Sequence, residues 1–259
     1  MKLFKIVLAL ASLLSTVTAQ ASNRYEVQFD NIWDTVKQDY SSFYTKNRLL
    51  RFGSVFSVGA VMAHTSIDTE FQSWYQDDIH SADTDDVAKV AKLFGEKTIL
   101  MPVAALASAL EFVEPDSNVA HWGQLSLRAY LLGGPIIGVT QPLTGGARPR
   151  DSVGDARWRS FEDDNGVSGH SFVAAVPFLA LAKMSNLQPW QKNLAYGASM
   201  LGAWSRVNDD AHYLSQAILG WYVAWESLNA IGQNDVADWY QVTPYVFGDG
   251  AGVSLQFKW

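Results

Sequence analysis

Residues 167–184 read VSGHSFVAAVPFLALAKM, a polar start followed by an apolar run. The run from Phe172 to Ala182 is shorter than the roughly 20 residues that cross a membrane, and its length is typical of a buried core helix. Ser168, Gly169 and His170 therefore stand where this helix begins. Because free backbone amides and the positive end of the helix dipole face outward there, the position can hold an anion of phosphate size.

Apolar residues recur at helical spacing along most of the remaining chain. The pattern predicts helices near 28–41, 67–79, 86–93, 97–113, 122–138, 169–184, 188–203 and 210–231. Residues 241–259 differ, since turn glycines around Asp249 and alternating apolar residues predict a short β-hairpin. The predicted fold is all-α, a single-domain helical bundle with a short C-terminal hairpin.

Composition narrows the class of protein. The chain has 259 residues, of which 48% are hydrophobic and 17% charged, so a disordered chain is excluded. A net charge of −7 argues against a nucleic-acid partner. The absence of cysteine excludes thiol nucleophiles, disulfides and thiolate metal sites.

The N-terminus has the pattern of an export signal. A basic start precedes an apolar run from Ile6 to Leu14, and Ala19 and Ala21 give the small-residue cleavage pattern. We therefore predict a signal peptide over 1–21 and a mature domain over 22–259, with a retained membrane anchor as the alternative. The predicted location is the periplasm, and a peripheral membrane contact is compatible with this location.

Basic and imidazole side chains gather in three segments of this acidic chain. Arg148 lies in the first segment, His170 in the second, and Arg206 and His212 in the third. An arginine guanidinium is a planar, permanently charged fork that matches phosphate oxygens, which a lysine does less specifically. Two arginines and a helix N-terminus would suit the oxygens of a phosphoryl group in transfer.

The two histidines fit a double-displacement phosphatase. A nucleophilic imidazole needs one unprotonated nitrogen, so the other N–H must be held by an acceptor, and Gln216 four residues after His212 offers its amide oxygen. His170 would act as the general acid that protonates the leaving group and later activates water. Two simpler interpretations stay open: His170 as a helix cap, and Arg148 as a surface ion-pair partner.

The three segments together resemble a known signature. Arg148-Pro149 is followed by Ser168-Gly169-His170 and then by Ser205-Arg206, with His212 six residues after Arg206 and a closing Gly220. This order resembles the type 2 phosphatidic acid phosphatase superfamily, which includes bacterial class A acid phosphatases and vanadium haloperoxidases. The surrounding helical pattern, about residues 60–232, is compatible with that family's helical bundle.

The resemblance implies a role for each matching residue. His212 would form a phosphohistidine and His170 would be the general acid and base. The implied phosphate ligands are Arg148, Ser168, Gly169 and Arg206. No metal and no cofactor are implied for the phosphatases, and the implied partner is a phosphorylated small molecule or a lipid headgroup.

Two departures from the family pattern fall on charged positions. Gln141 stands where the family has a lysine, and Gln216 where it has the aspartate that orients the nucleophile. Each lost charge would lower activity, by about 10²-fold if it acts like a preorganised donor. Asp209 could replace the aspartate, and Arg150, Arg157 or Arg159 the lysine, although we favour a solvated charged loop for these residues.

The sequence thus predicts a metal-independent phosphomonoester hydrolase that acts through a phosphohistidine, with lipid phosphates among its candidate substrates. One alternative is a degenerate family member, weakly active or inactive, that binds a phosphorylated headgroup or a protein partner. A vanadate-dependent haloperoxidase is less favoured, because the family's peroxidases retain the lysine that Gln141 replaces.

Overall fold

A computed structural model describes residues 32–114, 117–152, 154–231, 240–247 and 250–257. The predicted signal peptide, residues 1–21, lies outside these residues. These described residues are all-α apart from a C-terminal hairpin, as predicted. The helices are α1 Ile32–Phe43, α2 Lys46–His64, α3 Ile67–Trp74, α4 Ala82–Lys92, α5 Lys97–Ala109, α6 Asn118–Thr144, α7 Gly169–Lys183, α8 Pro189–Ser199, α9 Leu201–Asn208 and α10 Leu214–Ala230.

Helix α7 is the centre of the core. Nearly all of its side chains are buried, because it is apolar on every face. Pro177 lies inside the helix and has no N–H to donate to the carbonyl of Val173, one turn earlier. The Tyr130 hydroxyl of α6 donates to that carbonyl instead, over 3.0 Å. The core helix therefore keeps its backbone satisfied and begins at the polar residues that the sequence singled out.

Helix α2 was missed by the sequence analysis. It holds Gly53, Ser54, Ser57 and Gly59, residues of weak helix propensity that interrupt the apolar period. Tertiary packing overrides that propensity: a Cβ on Gly59 would lie 2.9 Å from the Leu219 side chain. The glycine thus allows α2 to approach α10 closely.

A buried ion-pair cluster joins α2 to α10. Arg48 and Arg51 of α2 both bind the carboxylate of Glu226, at 2.5 Å and 2.8 Å, and the Tyr222 hydroxyl donates to it at 2.8 Å. All three charged side chains are almost fully buried. Burial raises the pKa of Glu226, but the two arginines outweigh it and lower the pKa below its ordinary value.

The region before His212 differs from the prediction. The predicted helix 188–203 is two helices, α8 and α9, that meet at Met200. The helix predicted over 210–231 begins later in the structure: Asp209 and Asp210 follow the end of α9, and α10 begins only at Leu214. Gln72 of α3 donates to the Asp210 carboxylate at 2.7 Å and holds this turn in place.

The C-terminal hairpin has the predicted form. Strands β1 Tyr240–Phe247 and β2 Gly250–Phe257 pair antiparallel, with Tyr240 opposite Phe257. Among the described helices, none alone has the length and apolarity to cross a membrane. One pair bent by 52°, Ala82–Gly95 with Lys97–Phe112, passes that test together on length and composition.

Candidate active site

The three predicted segments meet at two adjoining cavities. The larger cavity has a volume of about 450 Å³ and the smaller about 280 Å³. Arg148, His170 and His212 line both of them. Arg206 lines the smaller cavity, and Gly169 and Gln141 line the larger one. The structure therefore brings residues from all three segments to one place.

His212 lies in the loop before α10 and is held through one ring nitrogen. Its Nδ1 is 2.9 Å from Oε1 of Gln216 and 3.1 Å from the backbone oxygen of Asn165. Both neighbours are acceptors, so Nδ1 carries the proton and Nε2 is left unprotonated. The Gln216 amide has a fixed orientation, because its Nε2 donates to the Ala147 carbonyl at 2.8 Å and its Oε1 also accepts from the Tyr213 amide.

The surroundings of His212 keep its ring neutral. Burial lowers its pKa to about 3, with Arg206 and Arg148 acting in the same direction, while the hydrogen bond to Gln216 opposes the shift. A carboxylate in place of Gln216 would favour the charged ring instead. A neutral imidazole with a free Nε2 is the form that can attack phosphorus.

Arg148 is oriented by Asn165, a residue that sequence reasoning missed. The Arg148 Nε donates to Oδ1 of Asn165 at 2.8 Å, and the terminal nitrogens of Arg148 have no partner within the described ranges. The Asn165 side chain is itself held by Asp163, at 2.5 Å. Asn165 thus binds Arg148 through its side chain and His212 through its backbone. Its closeness to Ser168 in the sequence is the only signal that could have pointed to it, and this signal does not specify either contact.

Ser168 and Gly169 form the N-terminus of α7. The Ser168 hydroxyl accepts from the Ser171 amide at 3.2 Å and caps the helix. A Cβ on Gly169 would meet only Gln141 Nε2, at 3.4 Å, and Ile137, at 3.8 Å, so the protein itself does not require glycine there. The space beside the first α7 amides is open to the larger cavity, as an anion cradle requires.

Helix α10 contacts this N-terminus directly. The Ser168 amide donates to the Gln216 carbonyl at 2.9 Å. A Cβ on Gly220 would lie 2.1 Å from the Ser168 carbonyl oxygen, so no side chain fits at that position. The closing glycine of the third segment therefore has a packing role.

Arg206 lies at the end of α9, almost fully buried, and its terminal nitrogen pairs with Asp209. Asp209 also lies 3.7 Å from Lys92. It therefore pairs with Arg206 and Lys92 and does not replace the missing aspartate beside His212. The Nε of Arg206 is buried without a hydrogen-bond partner in the described part of the chain. Such a donor costs free energy unless it finds an acceptor, such as the oxygen of a bound anion.

Gln141 faces the larger cavity but cannot supply the missing charge. Its Nε2 donates to the Val167 carbonyl at 2.9 Å and supports the loop before α7. Of the arginines considered as substitutes, Arg150 lines the smaller cavity, whereas Arg159 pairs with Asp155 on the surface. Lys92, at the end of α4, also lines the smaller cavity.

His170, the second residue of α7, is partly exposed and lies between charges of both signs. Its Nε2 is 3.7 Å from the Glu96 carboxylate. Burial lowers its pKa, Arg206 and Lys92 lower it further, and Glu96 raises it. Sequence reasoning missed Glu96, since nothing in its local pattern links it to a residue in α7.

Fold and site together define a class: an α-helical protein whose candidate anion site joins two histidines and two arginines at a helix N-terminus. A family model described as PAP2 superfamily matches residues 125–233, which contain all three segments, and this match supports membership of the superfamily. The resemblance predicted from the sequence is thereby confirmed. No curated protein and no solved structure matches the chain significantly. The match supports a phosphatase-type activity in general.

Proposed function

We propose that the protein is a metal-independent phosphomonoester hydrolase that acts through a phosphohistidine at His212. The observation that carries the proposal is the state of His212: a buried, neutral ring with Nδ1 bonded to two acceptors and Nε2 available. Beside this ring, Arg148 and Arg206 provide donors that have no hydrogen-bond partner among the residues that the structure describes. The proposed setting is the periplasm.

In the first step, His212 Nε2 attacks phosphorus and the P–O bond to the leaving alkoxide breaks, while His170 protonates that alkoxide. In the second step, His170 takes a proton from water, the water oxygen attacks phosphorus and the P–N bond breaks. Phosphate is released and both histidines return to their starting forms. Arg148, Arg206 and the α7 amides would stabilise the phosphoryl oxygens in both steps.

The larger cavity supports an apolar leaving group. Its lining includes Arg148 and His212 together with apolar residues of α5, α6 and α7. The apolar wall consists of Met101, Gly134, Ile137, Gly138, Phe172 and Val173. A phosphate ester with a hydrocarbon chain, such as a lipid phosphate, would place its headgroup and its chain in matching surroundings.

Two glycines keep the apolar wall open. Gly134 and Gly138 lie inside α6, where glycine costs about 1 kcal/mol relative to alanine, and a Cβ on either one would meet nothing within 4 Å. We expect Gly134→Leu and Gly138→Leu to raise the KM for a long-chain lipid phosphate about tenfold. The leucine side chain would exclude one or two methylene groups of the substrate from the cavity, and each buried methylene contributes about 0.8 kcal/mol to binding. Steady-state kinetics on detergent-solubilised substrate would measure this change.

Gly197→Leu is the matched control. Gly197 also lies inside a helix, α8, with open space around its Cβ, but it is not part of either cavity wall. All three variants should keep or gain thermal stability, because leucine is a better helix former. Unchanged KM for the lipid phosphate in both α6 variants, or an equal loss with glycerol 3-phosphate, would contradict the apolar-chain assignment.

The direct test of the proposed function is hydrolysis by the purified wild-type chain. We expect release of phosphate from p-nitrophenyl phosphate and from a lipid phosphate, in the presence of EDTA. We also expect a phosphoprotein that is stable in base and labile in acid, as phosphohistidine is. No release from either substrate would exclude the hydrolase.

The degenerate alternative is favoured by one observation, the neutral Gln141 engaged with the Val167 carbonyl. It predicts that phosphate binds without turnover of any ester. Titration calorimetry with inorganic phosphate, run beside the assay, separates the two functions. Halide oxidation that depends on added vanadate would instead indicate a haloperoxidase.

A further inference from the structure

Two residues that precede α5 are built against His170. A Cβ on Gly95 would lie 3.0 Å from Cδ2 of His170 and 3.1 Å from both its Cβ and its backbone oxygen. The imidazole therefore occupies the space in which a side chain at residue 95 would stand. The turn that holds Gly95 and Glu96 lies outside the residues that match the family model.

Glu96 follows this glycine and directs its carboxylate to the same ring. It occupies the N-cap position of α5, yet its side chain makes no capping hydrogen bond to that helix. Its Oε1 instead lies 3.7 Å from His170 Nε2. At this distance the two groups attract each other without a closed hydrogen bond, so the Nε2 proton is still available to a substrate oxygen.

The other charges that surround His170 are mostly positive. Arg206 from α9 and Lys92 from α4 both oppose a proton on the ring, and Glu96 favours one. The remaining charged or titratable residues around the smaller cavity are Arg148, Arg150, Asp209 and His212. Asp209 is engaged with Arg206 and Lys92. Lys97 and Asp164 line the larger cavity, which His170 also lines. Among the described residues, Glu96 is the carboxylate that lies within 4 Å of the His170 ring, and we infer that it supports the cationic form.

We propose that Glu96 is a positioning residue for His170: its carboxylate holds the ring at the cavity and stabilises the protonated form that the general acid needs. The catalytic part of this inference rests on the proposed function. The pairing itself does not, since it concerns a proton on a side chain and can be measured without any substrate.

The test is a titration of the His170 ring by NMR in the full chain, with its signal assigned from its loss in His170→Gln. In Glu96→Gln we expect the pKa of His170 to fall by about one unit, because an opposing charge within a few ångströms is removed. Glu96→Asp, which keeps the charge, should retain most of the wild-type value. Glu114→Gln, an exposed carboxylate beyond the end of α5, is the control and should leave the value unchanged.

A purely structural role for Glu96 would leave this titration unmoved. A fall of less than about 0.3 unit in folded Glu96→Gln would overturn the proposal. Activity adds a second readout: the alkaline limb of the kcat profile should move to lower pH by a similar amount, since the general acid loses its proton earlier. A shifted titration in a chain without hydrolase activity would uphold the pairing and reject only the proposed function.

Discussion

His212→Asn is expected to lower kcat for phosphate ester hydrolysis by at least about 10³-fold, because removal of a catalytic nucleophile leaves only the binding groups to act. Asparagine is close in size to histidine and can still donate to Gln216, so the loop before α10 should keep its form. Phosphate release and the base-stable phosphoprotein label should disappear together.

Binding should survive the same substitution. Arg148, Arg206 and the α7 amides remain in place, so the Kd for inorganic phosphate should stay within about threefold of the wild-type value. His64→Asn, at an exposed position at the end of α2, controls for the loss of an imidazole. If His212→Asn kept more than about a tenth of the wild-type kcat, another group would be the nucleophile.

Neutral His212 also has a consequence for the pH profile. Because the pKa of His212 is lowered to about 3, the proposed nucleophile stays unprotonated at pH 5 and above. A fall in kcat/KM between pH 6 and 5 would therefore come from the substrate or from another group, and His212 would not cause it.

Glu226→Ala is expected to destabilise the fold by about 3–5 kcal/mol, since it leaves two buried arginines without their counter-charge. For a chain of this size the loss corresponds to a fall in Tm of about 6–20 °C. Thermal unfolding followed by circular dichroism would measure it. Glu114→Ala, at an exposed carboxylate, should change Tm little.

A triple variant separates the net contribution of the ion pairs to the free energy of unfolding from the cost of leaving the two arginines without a counter-charge. Arg48→Met, Arg51→Leu and Glu226→Leu together replace the buried charges by apolar groups, and we expect this variant to recover most of the stability that Glu226→Ala loses. A Tm for Glu226→Ala within about 2 °C of the wild type would mean that water reaches the arginines and that the cluster is not buried in solution.

The sequence predicted those helices whose apolar pattern is strong and local. Helices α6, α7 and α10 were predicted with shifted ends, because the apolar residues of each lie together in one stretch of the sequence. Helix α2 was missed because its glycines and serines hide the period. What stabilises it is the pairing of Arg48 and Arg51 with Glu226, far along the chain, and such a contact leaves no local trace.

The candidate site, like the fold, was predictable from the sequence only in part. The histidines and arginines stand out because positive and imidazole groups are scarce in this chain. Asn165 and Glu96 were missed because each lies close to a site residue that is distant in the sequence, and their own sequence neighbours carry no motif. The structure contains the hydrogen bond by which Gln216 was predicted to orient His212. His212 itself lies in the loop before α10 and not in the first turn of that helix.

Gln216 makes a contact that the aspartate expected from the family pattern could not make. Its amide accepts from His212 and donates to the Ala147 carbonyl, so it ties the third segment to the first. A carboxylate could accept from the ring, but it has no hydrogen to give to that carbonyl. The glutamine therefore lacks the negative charge of an aspartate but links the loop that contains Ala147 to the loop that contains His212. His212 is thus oriented by neutral hydrogen bonds between these two loops, whereas an aspartate would orient it by charge.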